Sequence, residues 1–66
     1  MDEKQRLHMR RCEAREWLER YKRKARIDGA EQARIWWAGI IGAIERIRGL
    51  EAATELRRLM NEERNK

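Results

Sequence analysis

Along most of this chain the apolar side chains return at every third or fourth position. Leu7, Ala14, Trp17, Leu18, Tyr21 and Ala25 fall on one face of a helix, and Ala53, Leu56, Leu59 and Met60 on one face of another. No run of alternating β-branched residues suggests a strand, and proline is absent. The pattern predicts an all-α fold of three helices, at about 4–27, 30–48 and 50–63: a long first helix followed by an αα-hairpin in one small domain. Asp2 and Glu3 suit the start of the first helix, and Lys22, Arg23, Lys24 and Arg26 suit its end, because each complements the helix dipole. Gly29 and Gly49 mark the breaks. Asp28 is expected to cap the second helix with Glu31 completing a capping box, and Gly49 to close it in a Schellman turn against Leu50. The first few residues and the tail "NEERNK" are expected to fray.

The middle helix breaks the pattern. From Ile35 to Ile44 ten residues pass without a charge, with Trp36 and Trp37 side by side. Trp37, Ile41, Ile44 and Arg48 make one stripe; Trp36, Ile40, Ala43 and Ile47 make its neighbour, and Ile35, Ala38 and Gly42 reach further round. Two helices cover two faces at most. Gly39 and Gly42, flanked by Ala38 and Ala43, form a flat strip, and each glycine costs about 1 kcal/mol in a helix interior unless close packing offsets it. We read this helix as packed from two sides, with one tryptophan toward the core and the other toward a partner. The expected interface is Trp36, Trp37, Gly39, Ile40, Gly42 and Ala43, and a symmetric homodimer is its simplest occupant. A single core that takes in both tryptophans is the plainer alternative.

Size strengthens the expectation of a partner. A domain of 66 residues buries only about 60% of the surface its unfolded chain exposes, so its core is marginal without staples. The one cysteine, Cys12, excludes an internal disulfide and fits a reducing compartment. Neither a signal-peptide pattern nor an apolar run of about 20 residues is present, so a soluble, cytoplasmic protein without membrane partners is expected.

Chemistry is scarce. His8, Cys12 and Glu16 share a helix face, but one histidine and one cysteine do not make a tetrahedral metal site. Serine is absent, Thr54 is the only threonine, and the glutamates alternate with arginines as on solvated helix faces with i, i+4 pairs such as Glu16–Arg20. No catalytic residue, metal or cofactor is expected, and no enzyme.

The charge is uneven. Residues 1–27 carry ten Lys/Arg against five acids, and residues 28–66 carry seven of each. The stretch "ERYKRKAR" (19–26) surrounds Tyr21 with cations, a composition suited to phosphates and a stacked base. Its structural reading is as simple: cations at a helix end, and a tyrosine on the core stripe. Gln5, Gln32, Asn61 and Asn65 all lie outside it, so sequence-specific base reading is not supported.

The segments "RCEAREWL" (11–18) and "AIERIRGLEAATELRRLMNEER" (43–64) resemble a group of very small helical proteins encoded by phages and prophages of bacteria. In that group a CEAR-x-WL start precedes IE-x-x-RG-x-EAA and an end that bears leucine and methionine. The stretch between, "ERYKRKARIDGAEQARIWW", follows the pattern less closely. The resemblance implies a phage origin, a bacterial host cytoplasm and no assigned activity. Its fixed positions here are Cys12, Glu13, Ala14, Arg15, Trp17 and Leu18, then Ile44, Glu45, Arg48, Gly49, Glu51, Ala52 and Ala53. Most are packing or capping positions; Glu13, Arg15, Glu45 and Arg48 suit ion pairs locking helix one on helix two.

The expectation is therefore a protein-binding module, an accessory or inhibitor that docks on a host or phage protein with an acidic surface. Trp36 or Trp37 would anchor it, within a basic surface of Arg10, Arg20, Lys22, Arg23, Lys24 and Arg26. The alternative is a nucleic-acid binder that meets phosphates through residues 19–26. A structural part of a phage particle is a third possibility.

Overall fold

The computed structural model describes residues 2–66 as three α-helices: α1 (Glu3–Asp28), α2 (Ala30–Arg48) and α3 (Leu50–Arg64). No strand is found among the described residues. The all-α expectation and the helix limits hold to within a residue at each end.

The joints differ from the expected capping. Asp2 stands extended before α1, and its Oδ1 accepts the Gln5 backbone N–H at 2.8 Å. Asp28 has no such role: it is the last residue of α1, and its carboxylate pairs with Lys24 at 2.7 Å. No side chain caps α2 or α3, so the Asp28–Glu31 capping box does not form. A single glycine ends one helix and begins the next through the ordinary four-residue backbone bonds. The Gly29 N–H donates to the Ala25 carbonyl at 3.0 Å, while its own carbonyl accepts the Ala33 N–H at 3.1 Å. Gly49 repeats the arrangement between Glu45 and Ala53. Both glycines combine φ near 95° with an extended ψ (157° and 164°), a region open essentially to glycine alone. That backbone is not the left-handed helical turn of a Schellman closure, and Leu50 lies 64% exposed instead of packing beneath one.

With joints one residue long, the helices fold up-down-up and each packs on the other two. The buried set is small: Ala14, Leu18, Ala33, Ile44, Ala53, Leu56, Leu59 and Met60. Trp17, Trp37, Ile40 and Ile41 pack half-buried around it. The four inner positions expected of α3 are all buried. On α1, Tyr21 and Ala25 are half-buried and Leu7 is exposed, because that helix is longer than the two it packs on. Large apolar side chains outside the core (Leu7, Met9, Ile27, Ile35, Ile47, Leu50) outnumber those inside it (Leu18, Ile44, Leu56, Leu59, Met60). This fold leaves much of its apolar surface unspent.

Ion pairs set the alignment of the helices. Arg48 Nη1 donates to both carboxylate oxygens of Glu13 at 2.9 Å, fastening the end of α2 to α1. Arg15 does not join that clasp, as the sequence suggested; its Nε reaches Glu63 of α3 at 3.1 Å. Glu45 has no ion pair among the described residues. Arg10 with Glu55, and Arg11 with Glu62 and Glu63, run in the same order along both helices, so α1 and α3 are parallel. Exposed pairs contribute at most about 1 kcal/mol each, so they fix register more than stability.

Glu63 is the least exposed of these groups, its side chain 6% accessible. The Lys66 hydrogen bond pulls its carboxyl below the usual range, desolvation works the other way, and Arg15 lowers it again. A carboxyl with a lowered folded pKa stabilises the fold above its unfolded value, and that contribution is lost as pH falls through the lowered one. Urea midpoints of wild type and Glu63→Gln are therefore expected to differ at pH 7 and to converge by pH 2. A gap that stays constant with pH would exclude the linkage.

Candidate functional site

Two surfaces survive the packing of the core. The first is the outer face of α2, where Glu31, Ile35, Ala38, Gly42 and Arg46 recur at three- and four-residue steps, with Gly39 beside Ala38. This face points away from Ala33, Trp37 and Ile44, which α1 and α3 cover. Ile35 is 60% exposed, and a side chain added at Gly39 or Gly42 would meet nothing within 4 Å. The glycines therefore admit no close approach inside this chain.

The tryptophans do not divide as expected. Trp36 and Trp37 both turn toward Trp17, with ring centroids at 6.3 and 5.7 Å, and stand 6.3 Å from each other in tilted geometry. All three are half-buried, and the Arg20 guanidinium lies 5.0 Å over the Trp17 ring. Ile40 packs on the core, and Ala43 is half-buried beside it. Of the six interface residues expected, Gly39 and Gly42 keep open surroundings, and Ile35 replaces the tryptophan as the protruding apolar side chain.

The second surface is basic. Arg10 pairs with Glu55 at 3.8 Å, Arg20 with Glu16 at 2.9 Å and Lys24 with Asp28, so half of the expected cations are engaged within the chain. Lys22, Arg23 and Arg26 have no ion pair among the described residues, and neither do Arg34, Arg57 and Arg64. Residues 19–34 with Arg57 and residues 62–66 hold nine cations against five acids, an excess of four out of the net charge of +5. The remaining cations and acids balance to within one. Most of the formal excess therefore sits where α1 and α2 meet and α3 stops.

A groove of about 200 Å³ opens there, with Tyr21 and Trp37 on its floor side and Arg57, Asn61 and Arg64 along α3. Sequence reading missed these three α3 residues. Their i, i+4, i+7 spacing was visible, but that they flank Tyr21 is a tertiary fact.

His8 Nε2 lies 3.7 Å from Cys12 Sγ on the exposed side of α1, and Glu16 is taken by Arg20. Among the described residues no group of three or more His, Cys, Asp and Glu side chains gathers as a metal site would require. Among the described residues no helix is long and apolar enough to cross a membrane. The chain matches no family model, and no curated protein and no solved structure shows significant similarity to it.

Proposed function

We propose that this chain is a small binding module whose immediate partner is a second copy of itself, held through the outer face of α2. The observation that carries the reading is the empty space over Gly39 and Gly42 in the middle of a helix. Each glycine costs about 1 kcal/mol relative to alanine, and no contact within the chain offsets it. A second helix laid antiparallel across the strip, crossing at Ala38 and Gly39, supplies the contact. In that register Ile35 of each copy falls opposite Gly42 of the other, a branched side chain against a position with none. The same register sets Glu31 opposite Arg46. Both point outward, and neither has an ion pair among the described residues. The pairing is isologous, so it closes at two copies. Its wider setting is the role implied by the phage resemblance: a non-enzymatic accessory protein that docks on a host or phage protein with an acidic surface.

Light scattering across a hundredfold dilution is the test. Wild type is expected at twice the chain mass and Ile35→Glu at the chain mass, with unchanged helix content. Glu31→Arg alone is expected to weaken the dimer, and Arg46→Glu in the same chain to restore it. A wild-type protein that stays at the chain mass throughout overturns self-association.

A further inference from the structure

We infer that the basic end of the bundle is a binding track for single-stranded nucleic acid, with Tyr21 as its stacking platform and arginines of α3 as half of its phosphate contacts. Two depressions share Tyr21 as their common wall. One is the groove with Trp37, Arg57, Asn61 and Arg64; the other lies along α1 between Tyr21, Lys22 and Arg26. A strand crossing Tyr21 therefore meets cations on both sides. Arg57 and Arg64 are two helical turns apart, about 10 Å along α3, with Asn61 between them on the same face. Lys22 and Arg26 are one turn apart on α1. None of the four has an ion pair among the described residues, and Glu19 is the one carboxylate beside the track.

The ligand class follows from this combination. Cations alone suit any polyanion. Aromatic rings at the floor of a cationic groove favour a polyanion with exposed π faces, and an unpaired strand has them while a duplex keeps its bases stacked inside. The cations approach from α1 and α3 around a ring, instead of lying along one recognition helix as duplex readers place them. An acidic protein surface would satisfy the arginines and leave the Tyr21 ring without a partner. This site lies apart from the outer face of α2: solution mass decides one, and salt dependence with strand preference decides the other.

The experiment is fluorescence anisotropy with a labelled oligothymidylate of about twelve nucleotides, a duplex of the same length and polyglutamate of matched charge. The single strand is expected to bind at least tenfold tighter than either. Its log affinity should fall with log salt at a slope near −3, about 0.7 for each of four phosphates neutralised. Arg57→Ala with Arg64→Ala, both on the exposed side of α3, should flatten that slope by about half. Tyr21→Leu should weaken binding about tenfold at an unchanged slope, and Tyr21→Phe, which keeps the ring, should bind as wild type. Equal or tighter binding of duplex or polyglutamate, no binding at all, or a slope indifferent to Arg57 and Arg64 overturns the assignment. Circular dichroism of each variant separates lost contacts from lost folding.

Discussion

Leu59→Ala is expected to leave most of the chain unfolded at room temperature. Among the described residues Leu59 is the largest side chain with no solvent exposure, and it lies on the inner face of α3. Truncating a buried leucine costs about 2–5 kcal/mol, at the upper end where neighbours cannot collapse into the space. A single core in a domain of this length rarely supplies more than about 3–5 kcal/mol, so one substitution can consume all of it. Leu56 and Met60 flank the position on the same helix, and neither can move in without uncovering its own contacts. Far-UV circular dichroism in a urea series, at one fixed protein concentration, gives the measurement. Leu59→Met, nearly equal in volume, should lose less than about 1.5 kcal/mol and keep the helical signal. A Leu59→Ala protein that melts as wild type would mean that the core is not where the structure places it.

The second large effect is expected at a joint. Gly49→Ala meets no steric obstacle, because nothing lies within 4 Å of the added carbon. Its whole cost is in the backbone, where φ of 96° with ψ of 164° burdens an L-residue by about 1–3 kcal/mol. The chain has an escape. Alanine is the best helix former, and with helical dihedrals at position 49 the two helices α2 and α3 become one rod from Ala30 to Arg64. In that rod Leu56, Leu59 and Met60 leave their own core and can be buried only against another copy. We therefore expect a lowered melting temperature together with larger, concentration-dependent species, the signature of an exchanged helix. D-alanine at position 49, introduced by chemical synthesis, accepts positive φ without strain and should keep the wild-type fold and mass. If L-alanine keeps both, the joint is not strained.

How much of this was legible beforehand differs from element to element. Gly29 and Gly49 are the only sharp interruptions in a proline-free helical pattern, so helix limits were readable to within a residue. The inner face of α3 was complete, since Ala53, Leu56, Leu59 and Met60 form one stripe with charges on either side. The capping at Asp28 was misread for a physical reason: with a one-residue joint the N-cap position of α2 is Gly29, which has no side chain to offer, and Asp28 is already the last residue of α1. Trp37 packs on the core, as one of the two tryptophans was expected to; the contact of Trp36 with Trp17 was not foreseen, because residues 100° apart on a helix usually face different neighbours. Here both rings are large enough to reach Trp17 from the edge of the core. The partner of Arg15 lies 48 positions away at Glu63, and the groove around Tyr21 needs three helices to exist. Neither is a property of any stretch of sequence.

The order of the helices has a consequence for how the protein is made. Half of its buried residues, Ala53, Leu56, Leu59 and Met60, belong to the last helix, and Arg11 and Arg15 find their carboxylates at Glu62 and Glu63. While those residues are still being added or held by the ribosome, α1 and α2 have only each other, with Leu18 and Ile44 uncovered. The core closes only once α3 is free to pack, so a chain lacking Ala53 to Met60 would be left as a hairpin with half of the buried set gone.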